Sequence, residues 1–175
     1  MYPSRDYHQF TDYHREPAGL RRLDFFVHAI EEWADKYPNV TPKILDVGCG
    51  NGNISLPLAS RGWWVHGVDM DRNSIADAKE KNTFSCATFA VADACEALKK
   101  GHYDVIIASE FIEHLEDPKA FLALAYDRLT PGGILLVSVP FGYSVEELFR
   151  RFFQHTAFGR RAKRGSRRSA PRLVE

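Results

Sequence analysis

With 175 residues and a hydrophobic fraction of 45%, the chain is long enough for one domain with a full core. No stretch of eighteen apolar residues occurs, and Met1-Tyr2-Pro3-Ser4-Arg5-Asp6 is not an apolar signal core, so neither a membrane span nor a secretory leader is expected. The net charge of zero divides unevenly: from Arg150 onward nine Arg or Lys stand against Glu175, net +8, while residues 1–149 carry −8, an acidic body with a basic tail.

In chain order, residues 1–19 are polar and aromatic without a clean period. Residues 20–37 read as an amphipathic helix, because Leu23, Phe26, Val27, Ile30 and Trp33 recur at three- and four-residue steps. Pro38 and Pro42 end it. Short apolar runs at Lys43–Val47, Trp64–Asp69, Ala87–Val91 and 103–108 predict four strands, and 134–139 a fifth. Helices are expected at 54–60, 74–81, Ala94–Leu98 and 119–129, with a turn at Thr130-Pro131-Gly132-Gly133. Alternating strands and helices imply βαβ units, hence an α/β fold with a doubly wound parallel sheet. A further helix is predicted over 144–153, where Ser144 and Glu147 form a capping box. Beyond it Arg, Lys, Gly and Ser predict a basic tail. Cys49, Cys86 and Cys95 lack metal-ligand spacing and are read as reduced thiols of a cytoplasmic protein.

The first strand ends in Asp46 and runs into Gly48-Cys49-Gly50-Asn51-Gly52. Such glycines let backbone approach a ligand, and the following helix offers free N–H groups. A GxGxxG dinucleotide loop fits poorly: the third glycine comes one residue early and Asn53 stands in its place. Asp46 would also repel a pyrophosphate, whereas it suits a ligand with a cationic amino-acid end. The second strand ends in Asp69, placed to accept from a ribose diol. A helix cap is the other reading of Asp69, although Asp71 is better placed for it. Asp93, after the third strand, can combine cap and ligand contact.

These segments, with Ile44-Leu-Asp-Val-Gly-Cys-Gly-Asn-Gly, Val65-His-Gly-Val-Asp69, Ala92-Asp93-Ala94, Tyr103-Asp-Val-Ile-Ile-Ala-Ser-Glu-Phe-Ile-Glu-His-Leu and Leu129-Thr-Pro-Gly-Gly-Ile-Leu-Leu-Val-Ser-Val-Pro, resemble the class I S-adenosylmethionine (SAM)-dependent methyltransferases. The likeness is greatest to small-molecule enzymes such as the ubiquinone-biosynthesis O-methyltransferases and covers residues 40–145. It implies a Rossmann-like sheet of order 3-2-1-4-5 and an enzyme that binds SAM and releases S-adenosylhomocysteine (SAH). It implies that Asp46 and Gly48, Cys49, Gly50, Asn51 and Gly52 lie against the methionine end. Asp69 would hold the ribose and Met70 pack on the adenine. Asp93 and the Ala94 backbone would meet the adenine edge, and Ser109 and Glu110 would floor the pocket. Tyr13 and His14 would belong to an N-terminal lid. The organisation expected is a lid and helix over 1–39, the SAM-binding domain over 40–154 and the tail over 155–175.

Glu110, Glu113 and His114 have the spacing of one helical face. Two carboxylates and an imidazole suit a divalent metal, as in the small-RNA 2′-O-methyltransferases that such a stretch also resembles. A general base is the simpler role for His114, whose unperturbed pKa lies near neutrality; no metal is assigned. The expected activity is methyl transfer to a small-molecule acceptor at oxygen. The alternatives are a SAM-binding domain without catalysis, a truncated domain, and a metal-dependent RNA 2′-O-methyltransferase. The usual C-terminal antiparallel hairpin of the family is not legible after Pro140, which suggests a fragment or a five-stranded sheet. Peripheral membrane contact through the basic tail, with Phe149, Phe152, Phe153 and Phe158 beside Arg150 and Arg151, is a further expectation, as is a homodimer. Nucleic acid is not an expected partner.

Overall fold

The computed structural model describes residues 6–13 and 16–140. The expected helix at 144–153, the basic tail, the C-terminal hairpin and His14 lie outside the described residues. After a 3₁₀ turn at Asp6–Phe10 come α1 (Pro17–Lys36), β1 (Lys43–Val47), α2 (Ser55–Ala59), β2 (Trp64–Asp69), α3 (Arg72–Lys81) and β3 (Ala87–Val91). They are followed by α4 (Ala94–Leu98), β4 (Tyr103–Ser109), α5 (Pro118–Arg128) and β5 (Leu129–Ser138). The five strands form one sheet in the order β3-β2-β1-β4-β5, with every pairing parallel. This is the expected α/β, doubly wound, Rossmann-like arrangement.

The strands read as nearly continuous apolar runs because both faces of the sheet are covered. On one face Ile44, Val65, Phe89, Val105, Ile107 and Leu136 share a core with Leu23, Phe26, Val27 and Ile30 of α1, Leu56 and Leu58 of α2, and Ile75 and Ala78 of α3. Leu45 and Ile106, alternating with them, point to the other face, which carries α4 and α5 with the buried Leu98, Phe121 and Ala125. Pro17 opens α1 in the first helical turn, where its missing N–H costs nothing. Three later helices begin on aspartates that accept backbone N–H groups: Asp71 from Asn73 and Ser74, Asp93 from Glu96, and Asp117 from Ala120.

β5 differs from expectation at its start. It begins at Leu129, not after the Pro-Gly-Gly turn, and pairs Tyr103 with Leu129 before resuming at Val105 and Ile134. Residues 130–133 form an irregularity within the strand. Thr130 Oγ1 donates to Asp104 Oδ1 at 2.7 Å, and Trp33 Nε1 donates to the Gly132 carbonyl at 2.9 Å, so the turn is fastened to β4 and α1. Among the described residues no helix is long and apolar enough to cross a membrane. All three cysteines are free thiols.

Candidate functional site

Parallel strands of such a sheet end together, and a ligand binds beyond their carboxyl ends. A cavity of about 250 Å³ lies there, lined by Gly48, Val68, Asp69, Met70, Ala92, Ala94, Glu110, Phe111 and His114. Six of the residues singled out from sequence therefore share one hollow: Gly48, Asp69, Met70, Ala94, Glu110 and His114. Asp46, Cys49, Gly50, Asn51, Gly52, Asp93 and Ser109 lie outside its lining. Gly48 N and Cys49 N both donate to the Val68 carbonyl, at 2.9 and 3.1 Å, which folds the glycine loop back over the end of β2. Gly50 N then donates to Asp69 Oδ2 at 2.9 Å, while Asp69 Oδ1 accepts from Asp71 N at the same distance. The Asp69 carboxylate is thus fixed by two backbone donors and retains lone pairs for further donors.

Asp46 sits beneath the loop, 1% exposed. Ser55 Oγ donates to its Oδ2 at 2.6 Å, and its buried Oδ1 has no hydrogen-bond partner among the described residues. Burial pushes its carboxyl up to about 7, opposed by the Ser55 bond and helped by the nearby Asp69 charge. A buried acceptor without a donor is uncommon, and a cationic group near the loop would be favoured there. Burial also raises the Cys49 thiol far above its ordinary value, with the Asp46 and Asp69 charges adding to the effect. Cys49 is accordingly a packed neutral side chain.

Several loop and strand-end residues have partners within the chain. Asn51 Nδ2 donates to Asp12 Oδ2 at 3.3 Å, and Asn53 Oδ1 accepts from Asp12 N at 2.7 Å and from Thr11 Oγ1 at 3.3 Å. Both asparagines thus hold the N-terminal segment beside the loop, and Lys81 Nζ reaches Asp12 at 2.8 Å. Asp93 is exposed and outside the cavity lining, its carboxylate occupied by the cap at Glu96 N, while Ala94 lines the cavity. Met70 is 74% exposed at the rim. Ser109 Oγ lies 2.9 Å from Ser138 Oγ.

The segment after β4 does not form one helical face. Glu110 lies outside the short 3₁₀ turn at Ile112–His114, and the Glu113 side chain is 3% exposed whereas that of His114 is 75% exposed. Among the described residues no set of three His, Cys, Asp or Glu side chains could hold a metal ion. Glu110 instead meets Arg22 of α1: Arg22 Nη1 stands 3.1 Å from Glu110 Oε1, and Ser138 Oγ donates to the same oxygen at 3.3 Å. Arg22 also donates to Tyr13 Oη at 3.3 Å and stacks over its ring. No motif or spacing in the sequence marks Arg22 as part of this neighbourhood. Phe111 is likewise unmarked, and its ring packs on Gly48 and on Phe121.

Residues 13–172 match the family described as "Methyltransferase domain". A ubiquinone biosynthesis O-methyltransferase of Caulobacter sp. (strain K31) is 34% identical over 108 residues, covering 55% of this chain and 40% of that protein. Its namesake from Rickettsia canadensis (strain McKiel) is 32% identical over 120 residues, covering 67% and 50%. The chain spans about half, or less, of the length of the curated relatives it matches. Among solved structures, a TehB-like SAM-dependent methyltransferase from Corynebacterium glutamicum superposes with a TM-score of 0.55 at 26% identity, covering 69% of this chain and 68% of that one. WbdD, in a co-crystal with a kinase inhibitor, superposes with a TM-score of 0.64 at 22% identity, covering 85% and 36%, a likeness of fold.

Proposed function

The chain belongs to the family of class I SAM-dependent methyltransferase domains, and from that premise we propose that it transfers the methyl group of SAM to an oxygen of a small organic acceptor, leaving SAH. The observation that carries the reading is the cavity at the strand ends, lined by Asp69, Glu110 and His114 together with Gly48 of the glycine loop. Bound SAM supplies an activated methyl group. The chain's own part is to bind and orient.

In this reading Asp69 accepts from the ribose hydroxyls with the lone pairs its two backbone donors leave free. Met70 covers the adenine, and the Ala94 backbone lies along the adenine edge. Asp46 and the glycine loop face the amino-acid end, whose positive charge favours ionised Asp46. His114, at the mouth, takes the proton of the acceptor hydroxyl as the oxygen gains the methyl group. A positioned base of this kind contributes about a hundredfold or more.

The test is SAH release with a panel of hydroxyl-bearing small molecules. His114→Gln is expected to lower kcat about a hundredfold while leaving the SAH dissociation constant unchanged. Its exposed side chain makes a folding defect an unsuitable explanation for such a loss. Unchanged kcat would remove His114 as the base. The second reading is SAM binding without turnover. Tight SAH binding with no acceptor turned over would select it. The metal-dependent RNA reading draws no support from Glu110, Glu113 and His114, which among the described residues form no set able to hold a metal ion.

A further inference from the structure

Gly48 is the loop glycine that lines the cavity. Phe111 lies against it: a Cβ built on Gly48 would come within 2.6 Å of Phe111 Cδ2. The ring is held on its other side by Phe121, with centroids 5.4 Å apart. With the ring in this place the cavity measures about 250 Å³, below the roughly 300–1,000 Å³ usual for sites that take drug-sized ligands.

The residue before the ring is strained. Glu110 has φ +52°, the one positive value at a non-glycine position among the described residues. A side chain in this region is unfavourable and persists where its surroundings fix it. Here they do so from two distant elements: Glu110 N donates to the Ser138 carbonyl at 3.0 Å, and the carboxylate is held by Arg22 and Ser138 Oγ. A left-handed residue held by α1 and β5 thus stands directly before the aromatic ring that lies against Gly48.

We propose that Phe111 gates the cofactor cavity. Its ring rests on Gly48 in the closed state and swings off, about the Glu110 hinge, before an adenosyl amino acid lies against the glycine loop. This inference rests on the reading of the cavity as the cofactor site. Phe111 thereby sets the rates of cofactor entry and exit.

The experiment measures association and dissociation rates of SAH by surface plasmon resonance for the wild-type chain, Phe111→Ala and Phe111→Leu, each checked for folding by circular dichroism. Phe111→Leu keeps an apolar contact with Phe121 and carries the test if the alanine variant does not fold. Truncating the gate is expected to raise both rates, about tenfold for alanine and less for leucine, since binding that waits on a conformational change associates slowly. The dissociation constant shifts less than either rate. An unchanged association rate in the folded variants overturns the gate, whether or not dissociation accelerates. A folded wild-type chain that binds no SAH overturns the cofactor reading and the gate with it.

Discussion

The two walls of the cavity are built in different ways. The wall made by the glycine loop and the end of β2 joins two neighbouring strands: Gly48, Cys49 and Gly50 donate to Val68 and Asp69, about twenty residues further along the chain. The wall made by Glu110 and Phe111 is assembled from afar, with Arg22 of α1 and Ser138 of β5 holding Glu110 in a left-handed conformation. The first wall needs only the pairing of β1 with β2. The second exists only when α1, β4 and β5 are all in place. Cofactor recognition on the first wall is therefore expected to tolerate changes in the N-terminal helix that disturb the distant one.

The largest effect that could break this contrast is at the point where the walls touch. Gly48 has φ +70° and meets Phe111 at once, so Gly48→Ala adds backbone strain to overpacking. We expect a loss of about 4 kcal/mol in urea denaturation. Asp46→Asn tests the charge beneath the first wall. The folded-state value of about 7 lies above the ordinary 3.8, so the folded protein keeps a proton that the unfolded chain releases between these values. The stability this contributes is complete below about pH 4 and is lost as pH rises through about 7. Each tenfold difference in proton affinity between the folded and unfolded chain is worth ~1.4 kcal/mol, so the loss between pH 4.5 and 7.5 is about 3 kcal/mol. The asparagine variant lacks that slope, which denaturation at the two pH values would reveal. A slope retained in full would place Asp46 in a wetter setting.

Arg22→Met releases the clamp on Glu110 from the distant side. It should cost about 1.5 kcal/mol, because a half-buried charged hydrogen bond is lost, and should leave Asp69 and its backbone donors in place. Amide hydrogen exchange that rises at Gly50 as much as after β4 would show that the walls are not independent. The smallest effect is expected at Gly50→Ala. Its φ is +52°, but a Cβ there meets nothing within 4 Å, so only the conformational cost of about 1 kcal/mol applies. Equal losses at Gly48 and Gly50 would rule out a role for the Phe111 contact.

The same contrast explains what the sequence discloses. Strands buried on both faces carry unbroken apolar runs, so β1 to β4 are legible, and Asp71 and Asp93 are legible as caps because their partners lie two or three residues away. Asn53 is conspicuous in the loop, but its partners Thr11 and Asp12 cannot be inferred from local spacing. Arg22 resembles any other base on an amphipathic helix, since its meaning comes from Glu110. Glu113 misleads because helical spacing does not hold in a segment that makes only a 3₁₀ turn, and there it faces inward while His114 faces out. The turn residues 130–133 are recognisable as such, but their absorption into β5 depends on Asp104 and Trp33.

The measurement closest to the central claim is isothermal titration of SAH into the wild-type chain and into Asp69→Ala. Saturable one-site binding to the wild type is expected, with an affinity weakened by about 1–3 kcal/mol in the variant, roughly tenfold to a hundredfold, as hydrogen bonds to the ribose are lost. Equal affinities would contradict the placement of the adenosyl group at the end of β2.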